Sequence, residues 1–264
     1  SLSMNSRNAE WCAGRIGLGI LTVAVLLINA GSILSQNLSA ATTVESFEQE
    51  FNRTQPLVAE ILSEDPGFYR IEKNYERTIN DALQFGYNGL SHYSSTAKPA
   101  VLKFFERLGL NQTQYWTRYG QGGTAFADSL LGVRYLLWNS DSQTKGYPVL
   151  EDGPVQLLQN PTAFPIGFVT EKAAVLAEVP QSRNVFENQN QIFSALQNNP
   201  SSDSAQLLTH IPAELITLEN LEALPSDAAG QTLYQRFDPA QPAWLEWQLT
   251  PAQDADAYVY FITD

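Results

Sequence analysis

The 264 residues include one cysteine, Cys12, so no intrachain disulfide can form, and a fold of this size does not need one. With one Cys and two His there is no Cys/His zinc set. His92 and His210 lie far apart, and neither sits in a recognisable nucleophile motif. No P-loop, GxGxxG, HExxH or GxSxG pattern is present, so the sequence names no catalytic residue, metal or cofactor. Basic residues are scarce as well: 15 Lys and Arg stand against 28 Asp and Glu, for a formal charge of −13. Such an excess of carboxylate repels phosphodiester backbones and excludes nucleic acid as the expected partner. The acids are scattered, so no acidic tail is implied.

What is present is globular composition, 44% apolar and 16% charged, with enough aromatic residues to build a core. One stretch stands apart. Ile16 to Leu34 carries no charge, and at ~1.5 Å per residue it is long enough for a hydrocarbon core of ~30 Å. Arg7 and Arg15 precede it and no Lys or Arg follows before Arg53, which puts the N-terminus in the cytoplasm and the rest outside. The expected location is the plasma membrane, with the bilayer as a partner. A cleavable signal peptide and a buried core helix are the competing readings. The run is long for a signal core and no clean cleavage site follows it, while a buried helix leaves the charged flank unexplained. Cys12 lies before the apolar run, so it is not a lipobox cysteine. The chain opens on Ser1 rather than Met, and an excised piece of a longer protein is expected.

Three divisions are expected: 1–40 as cytoplasmic flank and transmembrane helix, 41–200 as an α/β extracytoplasmic domain, and 201–264 as a truncated β-sandwich. The fold class is therefore α+β. A capping box at Thr42 to Glu45 opens a short helix through Phe51, and Thr54 caps a second one carrying Pro56, Val58, Ile61 and Leu62. Phe68 to Lys73 and Val133 to Trp138 read as strands, as do the runs on either side of Asp152 to Pro154 and the segment Phe164 to Thr170. Helices are expected over 98–110 and 184–197, and loops over 80–96 and 111–123. Beyond Ser201, Leu207 to Ile211, Leu215 to Leu224, Gln231 to Phe237, Trp244 to Leu249 and Ala257 to Ile262 are short apolar runs between turn residues. They have the pattern of a sandwich's first strands.

Three segments in order carry a resemblance. They are Phe68 to Lys73 followed by Asn80 to Thr96, then Asp128 to Leu137, then Gln159 to Phe168. Behind an apolar helix, this set resembles the YfhO family of bacterial polytopic membrane proteins, best over about 65–170. The resemblance implies similarity to glycosyltransferases that move sugar from a lipid-linked donor to cell-envelope polymer, teichoic acid in Gram-positive bacteria. It also implies that the catalytic carboxylates of the whole protein lie upstream. This portion is then accessory or substrate-guiding; a non-enzymatic, membrane-anchored carbohydrate-binding module is the alternative, and a purely structural ectodomain a third.

The candidate contacts to sugar or polymer are Tyr87, Asn88, His92, Tyr93, Ser94, Ser95 and Asp128. Rings pack on the C–H faces of sugars, while hydroxyl and amide groups pair with their hydroxyls. Gly86 and Gly89 would let the backbone approach a ligand. The competing reading is an ordered loop whose polar groups cap its own turns. Asp128 reads as an acid, a helix cap or an arginine's partner, and Arg70 as half of an internal ion pair or a phosphate ligand. Tyr115, Trp116 and Tyr119 either stack on sugar or pack on the domain.

Overall fold

A computed structural model of the chain describes residues 2–40, 43–112, 115–120, 122–141, 146–170, 182, 184–197, 206–225, 232–251 and 256–260. The chain divides into two compact units, Ser1–Phe51 and Asn52–Asp264. In the first, helix α1 runs from Leu2 to Ala40. Its segment Arg15–Asn37 has a mean hydropathy of 2.2, and none of it is buried within the protein. An apolar helix of this length with bare sides suits lipid as its solvent. Two of its polar side chains bond back to the helix's own backbone: Thr22 Oγ1 donates to the Leu18 carbonyl and Asn37 Nδ2 to the Ile33 carbonyl, each at 2.9 Å. At the charged end, the Arg15 guanidinium lies 4.4 Å from the centre of the Trp11 ring.

Helix α2 spans Val44–Glu64 without a break, where two helices were expected. Its cap is Thr43, whose Oγ1 accepts from Ser46 N at 3.2 Å; Thr42 lies outside the described residues. Pro56 stays inside the helix because it is exposed, as is Asn52 one turn earlier. The Asn52 carbonyl, deprived of its usual donor, can face water instead. The other side of the helix puts Thr54, Leu57, Val58 and Ile61 into the core.

The second unit is organised on a four-stranded mixed sheet in the order β1-β5-β7-β6, where β1 is Arg70–Lys73, β5 Val133–Asn139, β6 Val149–Glu151 and β7 Val155–Gln159. β1 runs parallel to β5, and the remaining pairs are antiparallel. β5 is covered on both faces, with Val133, Leu136, Leu137 and Trp138 all buried, as its dense β-forming sequence requires. Leu90, Leu108, Leu110, Val133, Leu136, Trp138 and Leu158 form the centre of the apolar core. Each such side chain contributes about 1.5–3 kcal/mol relative to exposure.

Around the sheet stand α3 (Asp81–Phe85), α4 (Pro99–Arg107), α5 (Ala125–Leu130) and α6 (Val185–Leu196). A second, three-stranded sheet in the order β2-β4-β3 joins His92–Tyr93, Trp116–Arg118 and Asn111–Gln112. The 80–96 and 111–123 stretches, expected as loops, therefore hold a short helix and three short strands. Asp81 makes α3 possible: its carboxylate accepts from the backbone of Arg77 and Thr78, each at 2.9 Å, and organises the entry. The strand expected over Phe164 to Thr170 is irregular. Pro161 and Pro165 remove ladder donors, and the Phe164 and Phe168 rings meet edge to face at 5.0 Å instead.

The later strands make two antiparallel ribbons: β8 (Ala213–Glu219) with β11 (Trp244–Leu249), and β9 (Leu221–Leu224) with β10 (Leu233–Arg236). The run expected as one strand over 215–224 is broken at Asn220, whose φ is +53°. Its side chain pins the corner, donating to the carbonyls of Asp238, Gln241 and Pro242 and accepting from Asp238 N. Trp247 meets Tyr234 edge to face at 6.2 Å and joins the ribbons. Residues 256–260 are not in a strand, and 261–264 lie outside the described residues. The whole is α+β, with one apolar N-terminal helix and its strands in small sheets.

Candidate functional site

Alternation along β1 sends Ile71 to one face and Glu72 to the other. Both are buried, Glu72 to 1% exposure. A carboxylate so deeply placed needs donors, and three come from two consecutive residues. Leu90 N–H and Ser91 N–H both donate to Oε1, the latter at 3.0 Å, and Ser91 Oγ donates to Oε2 at 3.1 Å. Burial pushes the Glu72 carboxyl up to about 7; the Leu90 and Ser91 donors pull the other way, and Asp128 adds a further upward push.

Ser91 passes the connection on by accepting from Tyr119 N at 2.9 Å. The Tyr119 hydroxyl donates to Asp128 Oδ1 at 2.8 Å, and Tyr147 donates to Oδ2 at 2.9 Å. Burial first, and the Asp128 charge second, hold both phenols well above their usual range. Glu72, Ser91, Tyr119, Asp128 and Tyr147 thus form a continuous chain through the interior. It meets the small sheet at Ser91, just before β2, and at Tyr119, just after β4.

The outer face of that sheet is aromatic. Tyr93 and Trp116 stand directly opposite one another in the β2–β4 register. Tyr93 is 48% exposed, Trp116 40% and neighbouring Tyr115 46%. Arg118 shares the Trp116 face by two-residue alternation, and its Nε meets Glu76 Oε1 at 2.9 Å. Ser94 N donates to the Tyr115 carbonyl at 2.9 Å, and Ser94 Oγ also serves its own turn, accepting from Thr96 N at 3.2 Å and lying 3.0 Å from Thr96 Oγ1.

The structure separates the residues singled out in the sequence. Tyr93, Ser94 and exposed Ser95 gather with Tyr115 and Trp116. His92 points to the inner side, with Nδ1 2.9 Å from the Leu90 carbonyl and 3.1 Å from Thr117 Oγ1. The Asn88 carbonyl accepts from Ile71 N at 2.9 Å, so Asn88 covers the free edge of β1, and Tyr87 lies half-buried beside it. Gly89 approaches protein rather than ligand: a Cβ there would stand 3.0 Å from the Ala82 Cβ and 3.2 Å from Glu72 Oε1.

Among the described residues, the α5 cap and the Arg134 partner are residues other than Asp128. Thr124 caps α5, and Arg134 pairs with Asp65 at 2.7 Å. At 1% exposure Asp128 accepts from two phenols inside the fold. Tyr119 is likewise interior, and Arg70 donates to the Leu131 carbonyl. The sequence reading passed over Glu72, although an acid between Ile71 and Lys73 in a short strand signals a buried charge in need of partners. Among the described residues no group of three or more His, Cys, Asp or Glu is placed to hold a metal ion.

Comparison with curated proteins and with solved structures gives no match. The sequence model described as bacterial membrane protein YfhO matches residues 3–264, nearly the whole chain. With its apolar N-terminal helix and α+β remainder, the chain belongs to the YfhO family of bacterial membrane proteins.

Proposed function

We propose that this chain is a substrate-guiding, extracytoplasmic part of a membrane glycosyltransferase. In this reading it helps bring sugar from a lipid-linked donor to a cell-envelope polymer such as teichoic acid, and it holds saccharide on the Tyr93–Trp116 platform. The observation that carries the reading is the pairing of two exposed aromatic rings across a strand pair, with serine hydroxyls at their edge. Exposed aromatic rings offer C–H···π packing to a pyranose face, and the Ser94 and Ser95 hydroxyls pair with its polar rim. Membership in a bacterial membrane protein family supports the setting.

Charge narrows the ligand. A protein of formal charge −13 repels an anionic polymer, so recognition rests on uncharged sugar faces, with Arg118 the local cation on the platform side. The test is polymer glycosylation in cells carrying full-length protein with Tyr93→Ala and Trp116→Ala together. At unchanged membrane levels of the protein, transfer is expected to fall at least tenfold. Unchanged transfer overturns the reading. Lost saccharide binding with intact transfer favours instead the non-enzymatic carbohydrate-binding module.

A further inference from the structure

The turn that leads into β2 gives three of its hydrogen bonds to a single side chain, while Thr117 Oγ1 holds the Leu90 carbonyl and Asn80 Oδ1 holds Tyr93 N. Leu90 N–H, Ser91 N–H and Ser91 Oγ all donate to Glu72. Ser91 Oγ also accepts from Tyr119 N, immediately after β4. One carboxylate on β1 therefore ties the start of β2 to the end of β4, alongside the β2–β4 ladder that sets Tyr93 opposite Trp116. We propose that Glu72 is the positioning residue of the Tyr93–Trp116 platform and makes that platform pH-sensitive, its ionised carboxylate gripping the Leu90–Ser91 turn and its protonated form gripping it less.

The chemistry follows from the donors. Ionised Glu72 accepts three hydrogen bonds with full charge assistance, which makes each roughly twice as strong as its neutral counterpart. A proton taken from solvent onto Oε2 turns that oxygen into a donor. The bond to Ser91 Oγ must then reverse, and the two backbone N–H groups are left on a neutral carbonyl oxygen. Both states are accessible near neutrality, because burial raises this carboxyl to about 7.

The groups facing Glu72 set the balance between the two states. On β1, half-buried Arg70 favours the anion, and next along the strand Lys73 is engaged with Asp81 at 2.7 Å. From α5, Asp128 opposes the anion. Tyr119 stands between the two acids and donates its hydroxyl to Asp128. On β2, His92 Nδ1 is turned to the Leu90 carbonyl, and Tyr147 reaches the cluster through Asp128.

The purpose of this latch rests on the platform being a saccharide site, but its geometry does not, and the experiment separates them. Amide hydrogen exchange of the full chain in nanodiscs, corrected for intrinsic rates, is followed from pH 5 to 9. Protection at Leu90 and Ser91 is expected to rise on the order of tenfold through about pH 7, while amides of α4 show no such rise. Glu72→Gln is expected to remove the step and hold protection at the low-pH level. If Glu72→Gln fails to fold, Ser91→Ala serves instead. Loss of one donor to the anion should move the midpoint upward.

A flat wild-type profile overturns the latch, as does a step that survives Glu72→Gln or a midpoint that Ser91→Ala leaves in place. Saccharide binding is measured on the same samples. A step without binding at any pH keeps the latch and sinks the functional reading. Binding with flat amides does the reverse.

Discussion

Lys73 and Asp81 form an ion pair at 2.7 Å with both side chains only 4% exposed, directly beside the turn that leads to the platform. Asp81 is richly served: besides Lys73 it accepts from Arg77 N, Thr78 N and Thr78 Oγ1. The ammonium also lies 4.4 Å from the Tyr75 ring centre and 5.4 Å from that of Phe85. Removing one charge would leave the other stranded in the interior. Asp81→Asn is expected to destabilise the fold by about 3–5 kcal/mol. The double replacement Lys73→Met with Asp81→Asn, which removes both charges but keeps a side-chain oxygen for the Thr78 donors, should cost less than Asp81→Asn alone. Denaturant titration of the parent and the two variants checks this, and equal losses in single and double variants would refute it.

The same pair and Glu72 give opposite pH dependences. Burial alone would raise the Asp81 carboxyl, but the Lys73 bond, the Arg77 N–H and the Lys73 charge outweigh it and hold it below the usual range. A depressed acid stabilises the fold above its unfolded value and loses that stabilisation as pH falls through its folded one, so Asp81 matters below about pH 4. Glu72 is raised from 4.5 to about 7, so between those values the folded state binds the extra proton. Stability from this group therefore falls as pH rises across that window, by on the order of 3 kcal/mol in all. Glu72→Gln should flatten the slope between pH 4.5 and 7 and leave the acid limb, which Asp81 controls. Melting temperatures over pH 3–8 measure both. An unchanged mid-range slope in the variant would count against the assignment.

Gly132 makes the turn from α5 into β5 at φ +68°, donating to the Ser129 carbonyl at 3.0 Å and accepting from Arg70 N at 2.8 Å. A Cβ there would come within 3.1 Å of the Phe164 carbonyl oxygen, which is backbone and cannot swing away. Left-handed geometry costs a non-glycine residue about 1–2 kcal/mol, and the close approach adds to it. Gly132→Ala is expected to lower stability by ~2 kcal/mol or more. A variant as stable as the parent in denaturant would show that the turn can relax.

The apolar elements were legible in the sequence and the polar architecture was not. Ile16 to Leu34, Val133 to Trp138 and the runs beside Asp152 to Pro154 announce themselves by composition and period. So does the helix after Asn184, whose Oδ1 accepts from Phe186 N and Glu187 N. Pro56 misled because the cost of an interior proline depends on whether the freed carbonyl faces water, which is a tertiary fact. Polar segments 80–96 and 111–123 looked like loops because their order comes from distant partners. Glu72 holds Leu90 and Ser91, and Asn80 Oδ1 holds Tyr93 N at 2.8 Å.

Of the residues expected to touch ligand, the aromatic and hydroxyl members Tyr93, Ser94 and Ser95 do stand exposed or at an exposed edge. Asp128 went inside, for a reason that no local pattern gives: Tyr119 and Tyr147 come from separate segments to meet it.

Orientation across the bilayer is testable with the one cysteine the chain contains. Cys12 precedes the apolar segment Arg15–Asn37, and Ser95 is exposed at the edge of the platform. The basic residues ahead of that segment and their absence until Arg53 favour a cytoplasmic N-terminus. A membrane-impermeant maleimide applied to intact cells is then expected to leave Cys12 unlabelled until the membrane is opened. In a Cys12→Ser background, Ser95→Cys should label in intact cells. The reverse pattern would put the platform in the cytoplasm, where no outward-facing lipid-linked donor or envelope polymer can reach it. Labelling of both positions in intact cells would mean that Arg15–Asn37 does not separate them by a bilayer at all.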